Sequence, residues 1–196
     1  MHFMMKKELI YLLVSSAFVK GINHFTQKQV STELSISLST VNNALKPLQK
    51  MHAIEIRSRS FSVRDFRKLL AYWATIRNFE NEIIYSTFFP EKPDKIEGLM
   101  PSNVFFSAFS AVKFSVEAPA DYSEIYVYSS DLPELKKRFP LRNGPKNVFV
   151  LQSNALIERI SKNNCVPLPL AFVDLWNLSQ WYAKEFLEKA EKRLLD

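Results

Sequence analysis

Phe25 to Arg59 reads FTQKQVSTELSISLSTVNNALKPLQKMHAIEIRSR. Val30 and Leu34 stand one helical turn apart, and Thr26 is an N-cap type of residue, so a helix is expected over Thr26 to Leu34. Ser35, Ile36 and Ser37 make a turn, and Ser37 caps a second helix. At about 100° per residue, Val41, Ala44, Leu45 and Leu48 fall on one face of it. Ser39, Asn43, Lys46 and Lys50 fall opposite, with Asn42 and Gln49 at the margins. Pro47 takes away the hydrogen bond to the Asn43 carbonyl, so a kink is expected after the first half of this helix. Met51-His52-Ala53 is the stop, and His52 stands where a left-handed residue is needed. Ile54-Glu55-Ile56 and Phe61-Ser62-Val63 alternate as strands do, around the small basic tip Arg57-Ser58-Arg59-Ser60. The whole stretch has the pattern of a helix-turn-helix followed by a short β-wing.

That pattern carries a chemical expectation. An inner stripe that packs on the domain leaves the outer stripe to offer hydrogen bonds to base edges and charge to phosphates. Ser39, Asn42 and Asn43 are expected to read bases, and Lys46, Lys50, Arg57 and Arg59 to meet phosphates or the minor groove. Thr26, Gln27 and Lys28, which open the first helix, and Ser37 and Thr40, which open the second, complete the candidate DNA-binding set. The spacing of Thr26, Leu34, Ile36, Ser37, Thr40, Val41, Leu45, Leu48 and Ile54 resembles that of the winged-helix regulators of bacteria and archaea. Such folds also serve as protein-docking modules, and that reading stays open.

Composition narrows the classes. A chain of 196 residues, 47% hydrophobic and 23% charged, is globular and large enough for two small domains or one larger one. Three glycines are too few for the phosphate-cradling loops of nucleotide folds. The charge is uneven: through Glu80 there are 12 Lys and Arg against 5 Asp and Glu, and beyond it 14 against 15. A basic first part suits a polyanion, and the near-neutral remainder a different task. The lone cysteine, Cys165, excludes an internal disulfide and fits a reducing cytoplasm. His2, His24 and His52 show no metal-ligand spacing, so neither a zinc site nor a cofactor is expected. No apolar run reaches the length of about 20 needed to span a bilayer. The opening MHFMMKKELIYLLVSSAFVK superficially resembles a signal peptide, but its apolar residues serve better as the first helix of the core.

The expected organisation is α+β: residues 1–80 as a winged helix-turn-helix domain with a connecting helix, and residues 81–196 as an α/β domain with a smaller sheet. The first helix is expected from Met4 to Lys20, ended by Gly21. A fourth helix is expected to begin at Ser62, with Asp65 as a carboxylate variant of the capping box and Val63, Phe66, Leu69, Leu70, Trp73 and Ile76 as its stripe. Ile83 to Tyr85 is a short strand, and Pro90 to Pro93 a turn near the boundary. SNVFFSAFSAVKFSV, from Ser102, reads as a buried helix. EIYVYS from Glu124 and NVFVLQ from Asn147 read as strands, with a short helix from Leu132 to Phe139 between them. Asn154 to Ile160 is ambiguous, and Val166 to Pro169 is extended by proline geometry. A last helix is expected from Asp174 to Leu195, with Asp174 as its cap.

The order of this second half resembles the C-terminal region of the AbiEi family, the DNA-binding antitoxins of type IV toxin-antitoxin systems. The likeness is carried by Phe106-Ser107-Ala108-Phe109-Ser110-Ala111 before a strand and by Phe172-Val173-Asp174-Leu175-Trp176 before the last helix. It implies a regulator that represses its own operon, with a nucleotidyltransferase-like toxin as partner; a homodimer on double-stranded DNA is the expected assembly. An enzyme is not expected. The Gly-Ser turn and paired carboxylates of a nucleotidyltransferase are missing, and Ser129-Ser130-Asp131 is better read as a helix cap. A degenerate enzyme in the second half remains the third reading.

Overall fold

The computed structural model describes residues 4–196; Met1, His2 and Phe3, with the start of the leader-like stretch and one of the three histidines, lie outside the described residues. The fold is mixed α and β, with helices packed around two small sheets. The chain divides into two compact units that meet in sequence between Arg77 and Asn78.

In the first unit α1 (Lys6–Phe18) is buried on nearly every side from Ile10 to Ser16, so it is the central post rather than a one-sided surface helix. Gly21, at φ 84°, turns the chain, and Ile22 N donates back to Ala17 O at 3.1 Å. β1 (Phe25–Thr26) leads into α2 (Gln27–Leu34), and α3 (Leu38–Lys50) follows. Ser35 makes the turn between them at φ 53°, a left-handed position. The Ser31 hydroxyl donates to Ile36 O at 2.6 Å and fixes that turn. α3 continues past Pro47, whose carbonyl accepts from Met51 N at 3.1 Å. His52 adopts φ 60°, the conformation expected of it. Val41, Ala44, Leu45 and Leu48 are all buried, as the inner stripe requires. The Tyr11 hydroxyl donates to Ala44 O at 2.7 Å and pins the middle of α3 to α1.

β2 (Ile54–Arg57) and β3 (Ser60–Val63) form an antiparallel hairpin, and β1 pairs with the other edge of β3, with Phe25 opposite Phe61. Here the expectation for the fourth helix is corrected. Ser62 and Val63 belong to β3, paired with Glu55 and Ile54, and the helix α4 (Phe66–Ile76) starts later. Asp65 itself is its cap, accepting from Lys68 N at 3.0 Å. The strand alternation of Phe61-Ser62-Val63 and its pairing across the hairpin win both residues from the helix.

A buried polar knot lies under this unit. Glu8 Oε2 accepts from Trp73 Nε1 at 3.1 Å and from Arg77 Nη1 at 2.9 Å, with both charged side chains almost wholly withdrawn from water. Such a pair is costly to break because the survivor is left charged in the interior.

In the second unit a four-stranded sheet runs in the order β4-β7-β6-β5, made of β4 (Ile83–Thr87), β5 (Phe105–Ser107), β6 (Ile125–Ser129) and β7 (Val148–Gln152). β6 and β7 are parallel and the two outer pairings antiparallel. A 3₁₀ turn at Glu80–Glu82 and α5 (Pro93–Leu99) flank β4, and α7 (Leu132–Arg138) connects β6 to β7. Asp131 caps α7, accepting from Glu134 N at 3.1 Å. The segment Asn154–Ile160, ambiguous in sequence, is α8 (Ala155–Ile160) capped by Asn154.

Three expectations are corrected in this unit. Phe105 to Ser107 is not helical but pairs with β6, and α6 (Ala108–Val116) begins only after it, through Ala108 at φ 47°. Val166 to Pro169 is not wholly extended, because α9 (Leu168–Trp176) starts within it with Pro169 in its first turn, where a missing N–H costs nothing. The last helix is two helices, α9 and α10 (Ala183–Leu195). Asp174 is no cap: it lies near the end of α9, fully buried, and its Oδ2 accepts from the Ser107 and Tyr128 hydroxyls at 2.6 and 2.9 Å. It ties α9 to β5 and β6. The core then closes on Phe109, whose ring meets those of Tyr122, Tyr182 and Phe186 at 5.0–5.7 Å. Cys165 is buried, and its burial pushes the thiol pKa up to about 11.

Candidate nucleic-acid interface

The site lies wholly within the first unit and is built from three starts: that of α2, that of α3 and the tip of the β2–β3 hairpin. Thr26 accepts from Gln29 N at 3.1 Å, while Gln29 Oε1 accepts from Thr26 N at 3.1 Å, a reciprocal capping box. Ser37 Oγ accepts from Thr40 N at 3.1 Å and lies 2.8 Å from the Thr40 hydroxyl. These three hydroxyls therefore shape the helix ends. Gln29 was legible as the fourth residue of a Thr-x-x-Gln pattern.

Antiparallel pairing of Thr26 with Ser60 brings the hairpin tip to the start of α2, and Gln27 N donates to Arg59 O at 3.0 Å. The consequence is a cleft of about 450 Å³ lined by Gln27 and Lys28 of α2, Arg59 of the hairpin tip, and Ser39, Asn42, Asn43 and Lys46 of α3. It thus gathers seven of the twelve residues singled out from sequence. Leu38, which the sequence reading left aside, lines it as well. Three of the lining residues are cations and none is an acid.

The remaining candidates stand elsewhere. Lys50 is exposed one turn beyond Lys46 on the same stripe, outside the cleft lining. Arg57 is exposed on β2 but held: its Nε donates to Glu55 Oε1 at 2.6 Å. Arg64 donates to the other oxygen of the same carboxylate, also at 2.6 Å from its Nε. The Glu55 carboxyl is accordingly held below the usual carboxylate range, first by Arg57 and then by Arg64. The two arginines of the tip, alike in sequence, are therefore unlike in surroundings. Inside the cleft, Lys46 Nζ donates to Asn43 Oδ1 at 3.0 Å, so the Asn43 amide keeps its donors while its acceptor is engaged.

Chemically the cleft offers amide and hydroxyl groups together with three cations. That set can bond flat polar edges and neutralise flanking anions at once. Among the described residues, no cluster of His, Cys, Asp or Glu has the make-up to hold a metal ion, and no helix is long and apolar enough to cross a membrane. No family model, no curated protein and no solved structure matches the chain.

Proposed function

We propose that the chain is a sequence-specific regulator of transcription that binds double-stranded DNA through a winged helix-turn-helix, with α3 as the recognition helix and the β2–β3 hairpin as the wing. The observation that carries this reading is the cleft itself, where base-reading side chains on α3 and cations from α2, α3 and the hairpin tip converge. Further support comes from the order α1-β1-α2-α3-β2-β3, the three-stranded β1-β3-β2 sheet and the basic balance through Glu80. Ser39, Asn42 and Asn43 read base edges. Lys28, Lys46, Lys50 and Arg59 neutralise phosphates, joined by Arg57 once it leaves Glu55.

The regulator acts as a cytoplasmic homodimer, and its second unit holds the assembly or a partner protein. In its antitoxin form the partner is a nucleotidyltransferase-like toxin and the target is the promoter of its own operon. No catalytic step is assigned to it. The test is binding of the full chain to duplex from upstream of its own coding region, against unrelated duplex, over a range of salt. Preference for one sequence, with affinity falling steeply as salt rises, is the expected result. Weak binding without preference at moderate salt would make the unit a protein-docking module instead.

A further inference from the structure

Leu38 is the one apolar side chain in a lining of amides, a hydroxyl and cations. It is the first residue of α3 and stays 51% exposed. It is not needed as a cap, since Ser37 already accepts from Thr40 N. Nor does it join the inner stripe, whose members are at most 5% exposed. Asn42 lies one turn further along α3 on the same side, so an aliphatic group and an amide face the cleft together.

We infer that Leu38 is a specificity-determining residue that contacts the C5 methyl of a thymine, so that the cleft selects an A·T pair at that position. The inference rests on the DNA-binding reading above. In the major groove the thymine methyl is the one apolar group that a base pair presents, and asparagine is the side chain that bonds adenine at N6 and N7. Leucine beside asparagine offers complements to both features. The lining holds no acid that would accept from cytosine N4, which leaves a cytosine at that position without a charged acceptor. The first residues of a recognition helix are also those that reach base edges.

The test uses a duplex selected from a random pool by the full chain. Each thymine in it is replaced singly by uracil, which removes the methyl and nothing else. At one position, or at its symmetry mate in a palindrome, the substitution is expected to lower affinity about fourfold, the worth of one buried methyl-sized group. Leu38→Ala, checked for an unchanged thermal midpoint, is expected to bind the thymine and uracil duplexes alike. A selected duplex that binds well but shows a flat uracil scan overturns the role of Leu38 alone, as does a Leu38→Ala protein that still discriminates. Failure to select any sequence, with Asn43→Ala and Arg59→Ala both without effect, overturns the DNA-binding reading and this inference with it.

Discussion

The two arginines at the hairpin tip separate what position in sequence suggests from what surroundings allow. Arg59 is exposed at the edge of the cleft, its backbone fixed by the bond from Gln27 N, and no acid lines the cleft beside it. Arg57 is already engaged with Glu55. If Arg59 neutralises one phosphate, Arg59→Ala lowers the slope of log affinity against log salt by about 0.9. The loss then depends on conditions: about 15-fold at 50 mM salt, about 5-fold at 150 mM and about 2-fold at 500 mM. Arg57 must leave a surface ion pair before it can do the same. Such a pair is worth at most a few-fold in equilibrium, which is comparable with the return from one phosphate contact at about 150 mM. Arg57→Ala is therefore expected to change affinity less than about 2-fold at that salt. Glu55→Gln, which frees Arg57 and removes a negative charge, is expected to raise affinity for every duplex. In the Glu55→Gln background, Arg57→Ala recovers the full loss, a coupling that a double-mutant cycle by fluorescence anisotropy measures directly. Equal losses of affinity at about 150 mM salt for Arg57→Ala and Arg59→Ala in the parent chain would refute the reasoning, as would a slope that Arg59→Ala leaves unchanged.

Further outcomes are expected at other residues. Asn43→Ala should cost about 1–3 kcal/mol on the selected duplex and little on unrelated DNA, read by competition binding. Thr26→Ala removes the cap of α2 and should lower stability by about 1 kcal/mol in urea unfolding, where a base contact would leave stability alone. Arg77→Met strands Glu8 in the interior and should cost about 3 kcal/mol or more by the same measurement. The lowered Glu55 pKa means that its ion pairs form above the usual glutamate value and are lost as pH falls through the depressed one. The affinity gain of Glu55→Gln should therefore hold constant over about pH 6 to 8 and shrink only in acid. Burial and the raised thiol pKa make Cys165 slow toward iodoacetamide in the folded chain, with full reactivity in urea.

Much of the first unit was written in local chemistry. Caps at Thr26 and Ser37, the buried stripe Val41, Ala44, Leu45 and Leu48, the left-handed His52 and the alternation of Ile54 to Ile56 all act over a few residues. A periodic pattern therefore suffices to find them. Candidate residues on α3 were legible for the same reason, because the face opposite a buried stripe is determined by helix geometry alone. Gln29 and Leu38 were visible in the sequence too, the one as a capping partner and the other as an apolar residue off the stripe.

What local pattern leaves open is which segments meet. Ser62 and Val63 went to a strand, and Phe105 to Ser107 to a sheet edge, because Glu55, Ile54 and β6 supplied hydrogen-bond partners from elsewhere in the chain. Asp174 lost its expected place as a cap when Ser107 and Tyr128 came to it from 67 and 46 residues away. The unequal fates of Arg57 and Arg59 follow from Arg57 bonding Glu55 two residues back on its own strand and from β1 lying against β3. The sequence by itself determined α2 and α3, their caps at Thr26 and Ser37, and the outward face of α3, since each is settled within a turn or two. Tertiary structure alone decided the cleft, its boundary of α2 and hairpin, and which cations gather along it, since these depend on contacts between residues that no local period connects.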